Sequence, residues 1–179
     1  MSRSRPFDPM PSFLFPGLTP REGRGTALFA AVTAKAREPH WYVEGAVPDT
    51  IDGRFRVLAT IAALLTVRLE QLGAEGDAAS VALTERFIEV MESEHRELGF
   101  GDPNLGRTVR RLVAALGRRV ELWRSAVAGR SEWEAAAAES VYKAADDPGA
   151  AAHSAEALRN LWRQLEQQEA AELVEGKLE

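Results

Sequence analysis

Few side chains in this sequence are placed to do chemistry. The 179 residues include no cysteine and three histidines, His40, His95 and His153, so thiolate metal sites, cysteine nucleophiles and disulfides are excluded together. Glu92-Ser93-Glu94-His95 sets a carboxylate and an imidazole three residues apart, the spacing by which di-iron bundles place two ligands on one helix face. Such a site needs a second copy, and the residues three before His40 and His153 are Arg37 and Ala150. His95 also shares a helical face with Phe87, Ile88, Met91 and Leu98, which reads as a core or interface histidine. Neither a Gly-x-Ser-x-Gly elbow nor a phosphate-binding loop occurs. The expectation is a protein with no catalytic residue, no metal and no cofactor.

Charge is the stronger signal. The net charge of −5 argues against general or sequence-specific nucleic-acid binding, but it averages unlike regions. Residues 1–72 balance at +2, 73–103 at −6, 104–131 at +6 and the remainder at −7. The basic block is all arginine. At helical periodicity Leu105, Val109, Leu112, Val113, Leu116, Val120, Trp123 and Val127 form a core stripe. Arg107, Arg110, Arg111 and Arg118 lie on the opposite side, with Arg119 nearer the flank. Such a stripe suits phosphates or an acidic partner helix; it also suits a solvated face neutralised by Glu85, Glu89, Glu92 and Glu97 of the preceding helix.

The elements that position these groups read as helices throughout. Five prolines within the first 20 residues (Pro6, Pro9, Pro11, Pro16, Pro20) forbid a continuous helix there. Helical periodicity then runs over about 22–38, 49–72, 77–98, 103–128, 131 to the Asp147-Pro148-Gly149 break, and 151–173. Asp49, with Asp52, and Ser131, with Glu134, stand at capping-box positions. The loop Gly99-Phe100-Gly101-Asp102-Pro103 reads as a tight turn between two helices. The longest apolar run, Val57 to Val67, has 11 residues; a spanning helix needs about 20. The fold class expected is all-α, a single-domain bundle of about six helices with a Pro-rich N-terminal tail.

Two stretches go beyond generic helix. Tyr42 leads into Val-Glu-Gly-Ala-Val-Pro-Asp49-Thr50-Ile-Asp52-Gly53-Arg54-Phe55, and Arg96-Glu97-Leu-Gly99-Phe-Gly101-Asp102 is followed by Gly106. In this order and spacing the chain resembles the ubiquinol–cytochrome c chaperone family, over roughly residues 20–130. Tyr42, Asp49, Thr50, Asp52, Gly53, Arg54 and Phe55 match its first motif; Glu97, Gly99, Gly101, Asp102 and Gly106 match its second. Thr60-Ile61 stands where many members have Leu-His, and His95 where a Leu is usual. With the Pro-rich tail and the acidic C-terminal helices outside the resemblance, three regions are expected: a flexible tail over 1–18, a chaperone-like helical domain over 19–130, and an acidic helical extension over 131–179 packed on the same domain.

The resemblance implies a non-catalytic assembly factor that holds newly made cytochrome b, or a related apolar subunit, during assembly of the respiratory cytochrome bc complex. Expected partners are that apolar membrane-protein client, a small helical partner protein, and a ribosome or anionic membrane met by the arginine stripe. The expected location is the cytoplasm, with peripheral attachment at the inner membrane. An adaptor or oligomerising scaffold without a client is the alternative from another class. Beside the resemblance, Asp49 and Asp102 are placed to cap helices, and Gly53 and Gly106 remove side chains where helices could cross. Arg54 is expected to pair across the core, partly buried, with Glu97 or Asp102. A client groove is expected near Trp41, Tyr42 and Phe100.

Overall fold

The computed structural model describes residues 22–97, 105–142 and 148–178. These residues form α1 (Glu22–Ala36), a 3-10 turn (Pro39–Trp41), α2 (Ile51–Glu70), α3 (Gly73–Glu97), α4 (Leu105–Val127), α5 (Trp133–Val141), α6 (Pro148–Gln167) and α7 (Ala170–Val174). No strand occurs among them, so the fold is all-α. The N-terminal prolines and the Gly99–Asp102 turn lie outside the described residues.

The 11-residue apolar run becomes the axis of the bundle. In α2, Val57, Ala59 to Val67 and Leu69 are all buried, because α1, α3, α4, α5 and α6 each pack against it. A helix apolar on every side must be enclosed. Each fully buried Leu or Ile there contributes roughly 1.5–3 kcal/mol relative to exposure. Among the described residues no helix is long and apolar enough to cross a membrane.

The ends of the helices differ in places from their expected positions. Thr50, not Asp49, caps α2, its Oγ1 accepting from the Gly53 amide at 3.1 Å. Gly73 (φ +70°) both ends the turn after α2 and opens α3, four residues before the expected start. The hairpin closes that tightly because Gly76 has no side chain: a Cβ there would lie 2.0 Å from the Leu69 carbonyl oxygen. Ser131 does not cap α5; the chain stays extended through Glu132, whose side chain makes no capping bond. The last expected helix is two, since the chain turns at 168–169 to bury Leu173 and Val174 against α1 and α3. Gly176 (φ +80°) permits this closure, for a Cβ there would meet Ala27 and Leu28 backbone at 2.6–2.7 Å. On α4, Leu112, Leu116, Val120 and Trp123 are buried as expected, whereas Val113 is 43% exposed.

Candidate functional site

The first motif begins in the connector after α1. Trp41 is buried and its Nε1 donates to the Lys35 carbonyl at 2.8 Å, while the Tyr42 hydroxyl donates to the Ala36 carbonyl at 2.8 Å. The two rings thus donate to carbonyls in the last turn of α1, that of Lys35 also accepting from the Glu38 amide at 3.3 Å. Burial pushes the Tyr42 phenol up, with the charge of Arg54 opposing. Trp41 is therefore tied into the fold; Phe100 lies outside the described residues.

From the other side the connector is bolted to the C-terminal helices. The Tyr142 hydroxyl lies against the carbonyls of Gly45 and Ala150 and 2.7 Å from Ser154 Oγ. Ser154 is fully buried. A Cβ on Gly45 would sit 2.6 Å from the Trp41 carbonyl oxygen. Tyr142 and α6 are thus built into the setting of the first motif, and α5 and α6 supply part of the common core through Val141, Leu158, Trp162 and Leu165.

At the start of α2 the motif turns inward on itself. Arg54 is 65% exposed and forks onto Asp49, Nε to Oδ1 at 2.5 Å and Nη2 to Oδ2 at 3.1 Å. This replaces the expected buried pair across the core. The hydrogen bond from Arg54 holds the Asp49 carboxyl below the usual aspartate range. Asp52 pairs with Arg56 at 3.0 Å one turn on. Gly53 is not a helix-crossing glycine: a Cβ would lie 1.9 Å from the carbonyl oxygen of Pro48, where the chain doubles back over its own helix start. Val43 and Ile51, 71% and 74% exposed, flank this region.

Phe55 joins the motif to α4. Its ring packs 6.1 Å from Phe87, which meets Phe29 edge-on at 6.3 Å, and the Arg119 guanidinium lies 5.9 Å above it. Arg119 also donates to the carbonyls of Ala115 and Ser140 at 3.2 and 3.1 Å. Burial, then repulsion from Arg56 and Arg118, pulls it below the ordinary arginine range. Arg119 is a structural residue and leaves the stripe. Beside it, Ser140 Oγ lies 2.5 Å from Thr60 Oγ1 and accepts from Trp123 Nε1 at 3.2 Å, a buried polar junction of α2, α4 and α5. Thr60 and Ile61, where the resemblance departs, are both sealed in the core.

The remaining arginines of the stripe behave differently. Arg107, Arg110, Arg111 and Arg118 are exposed, and among the described residues none makes an ion pair or hydrogen bond. Of the α3 carboxylates, Glu89 pairs with Arg86 within its own helix. Other arginines are occupied: Arg124 bridges Glu70 and Glu121, and Arg159 stacks on Trp133. Of the second motif, Glu97 closes α3 and Gly106 falls in the first turn of α4, while Gly99, Gly101 and Asp102 lie outside the described residues.

A groove does open beside Trp41, with a volume of about 450 Å³, but its walls are mixed rather than apolar: Lys35, Glu38, His40, His153, Glu156, Asn160 and Gln164 join Trp41, Ala157 and Leu161. At its edge His40 Nδ1 lies 3.2 Å from His153 Nε2. Sequence spacing gave no sign of this pair or of the Tyr142 and Ser140 junctions, each of which joins residues 80 to 113 positions apart at its longest contact.

Known proteins agree with this architecture. A crystal structure of the Cbp3 homolog from Brucella abortus superposes with a TM-score of 0.77 over 88% of each chain at 20% identity, a likeness of fold. No curated protein matches the chain. The family model described as ubiquinol-cytochrome C chaperone matches residues 44–179. The match takes in the last 49 residues, which the sequence resemblance had left outside, and begins just after Tyr42. On that match, which spans well over half of its length, the chain belongs to the ubiquinol–cytochrome c chaperone family.

Proposed function

We propose that this protein is a non-catalytic assembly factor of the respiratory cytochrome bc complex that holds a newly made apolar subunit, cytochrome b or one like it. The family match over residues 44–179 carries this reading. The physical support is a division of labour: residues of the first motif, Tyr42, Asp49, Thr50, Asp52, Gly53, Arg54 and Phe55, are engaged within the fold, while the outer face of α4 and the exposed Val43 and Ile51 are open to partners. In this reading Val43 and Ile51 contact the client. Arg107, Arg110, Arg111 and Arg118 meet a phosphate-rich surface near the site of synthesis, ribosomal RNA or anionic lipid, by a salt-sensitive attraction.

Deleting the gene and measuring assembled cytochrome bc complex tests the assembly role; normal levels would refute it. Reversing Arg107, Arg110 and Arg111 to Glu tests the surface. The variant should leave ribosomes on sedimentation or anionic vesicles on flotation, and unchanged association with both would remove the stripe from the account.

A further inference from the structure

We propose that His40 and His153 form an acid-sensitive latch between the connector and α6, which one proton tightens and a second releases. Their facing nitrogens, His40 Nδ1 and His153 Nε2, lie 3.2 Å apart, and both rings are partly buried. His40 Nε2 in turn lies 3.2 Å from Glu38 Oε2, and Glu38 Oε1 is held by Lys35 at 3.3 Å. This chain of contacts fixes where the hydrogens sit. An ionised carboxylate only accepts, so His40 Nε2 carries a hydrogen. In a neutral imidazole the other nitrogen is then a bare acceptor. His40 Nδ1 therefore accepts, and His153 Nε2 donates.

The order of protonation follows. The first proton enters at His153 Nδ1, which has no hydrogen-bond partner among the described residues, and leaves the bridging hydrogen in place. The bond becomes charge-assisted and so stronger. For a second proton only the bridge is left. Both facing nitrogens then carry hydrogens, the acceptor is gone, and two charged rings 5.4 Å apart, centroid to centroid, repel each other. The charged groups that line the groove with the pair are Lys35 at the end of α1, Glu38 in the connector and Glu156 on α6. The carboxylates favour the first proton; Lys35 and the charge already gained oppose the second. Histidine is the side chain whose charge changes between about pH 5 and 8. The pair links two walls of a groove also lined by the buried Trp41 and Leu161, so release gives access to apolar surface that the closed latch covers.

The amides of Val43 and Gly45 report on the turn that carries His40, since they donate to the carbonyls of Pro39 and His40 at 3.0 and 2.8 Å. Hydrogen exchange of the full-length chain, corrected for intrinsic rates, should show their protection rise as the pH falls from about 8, pass a maximum, and then drop by about tenfold as the second proton breaks the bond. His153→Gln keeps a side chain that can donate to His40 but takes up no proton, and should abolish the maximum; His95→Gln should leave it in place. Protection that is flat or monotonic down to about pH 5, or a maximum that persists in His153→Gln, would overturn the latch. If that variant does not fold, the ring-nitrogen chemical shifts of the unsubstituted chain decide. At about pH 8 they should show His40 bare at Nδ1 and His153 protonated at Nε2, and a hydrogen on His40 Nδ1 there would refute the assignment.

Discussion

The start of α2 and the outer face of α4 carry the two most conspicuous sets of polar residues in the chain, and they spend them in opposite ways. Around Thr50–Phe55 nearly every group is occupied within the molecule: Thr50 caps, Asp49 and Arg54 clasp each other, Asp52 holds Arg56, and Phe55 lies under Arg119. On α4, four arginines stand in solvent without a partner among the described residues. A sequence motif can mark the framework, and a run of one charge can mark the surface that the framework presents.

Substitutions can break this contrast, and the largest expected effect is at Gly53. Gly53→Ala drives a methyl into the Pro48 carbonyl, 1.9 Å from where the Cβ must sit, and should cost about 3 kcal/mol in denaturant unfolding. A wild-type midpoint would show that the connector yields easily. Ser140→Ala comes next. It strips Thr60 and the Trp123 indole of their buried partner and should cost about 1–3 kcal/mol, with Thr60→Val in the same background restoring part of the loss. The triple reversal of Arg107, Arg110 and Arg111 should leave stability within about 0.5 kcal/mol of wild type while removing salt-sensitive association. A large fall in Tm would mean that these side chains are structural after all.

The smallest effect concerns acid. The Asp49 carboxyl is held below its ordinary range by Arg54, so the folded state binds its proton less readily than the unfolded chain. That contribution is fully present above the unfolded value and fades as the pH drops through the folded one, below about pH 4. Both side chains are exposed, so the difference between wild type and Asp49→Asn in acid unfolding should be slight. A marked difference at neutral pH that salt does not screen would indicate a more enclosed pair than the geometry shows.

What one helix contains by itself is legible in sequence. The all-α class, the enclosed run Val57–Val67 and the exposed positions of Arg107, Arg110, Arg111 and Arg118 follow from periodicity. Arg119 was readable only as a flank, because the ring of Phe55 and the carbonyl of Ser140 that draw it inward belong to other helices. Asp49 and Thr50 are adjacent cap formers, and in the fold Thr50 caps while Asp49 is held by Arg54. Trp41 looked available to a client because its acceptor, the Lys35 carbonyl, is a backbone atom with no side-chain signature. His40 and His153 meet only because the connector folds against α6, a juxtaposition that no local spacing encodes.

The enclosure of α2 also imposes an order of events on the ribosome. Its apolar surface is complete when residue 69 has been made, yet the helices that cover it include α4, α5 and α6, and Arg68 waits for the carbonyl of Leu165. Until the final third of the chain emerges, a helix of hydrocarbon side chains stands open to solvent, exposed to the aggregation that threatens any incomplete domain. A truncation ending near residue 130 should therefore yield a sticky fragment rather than a smaller working protein.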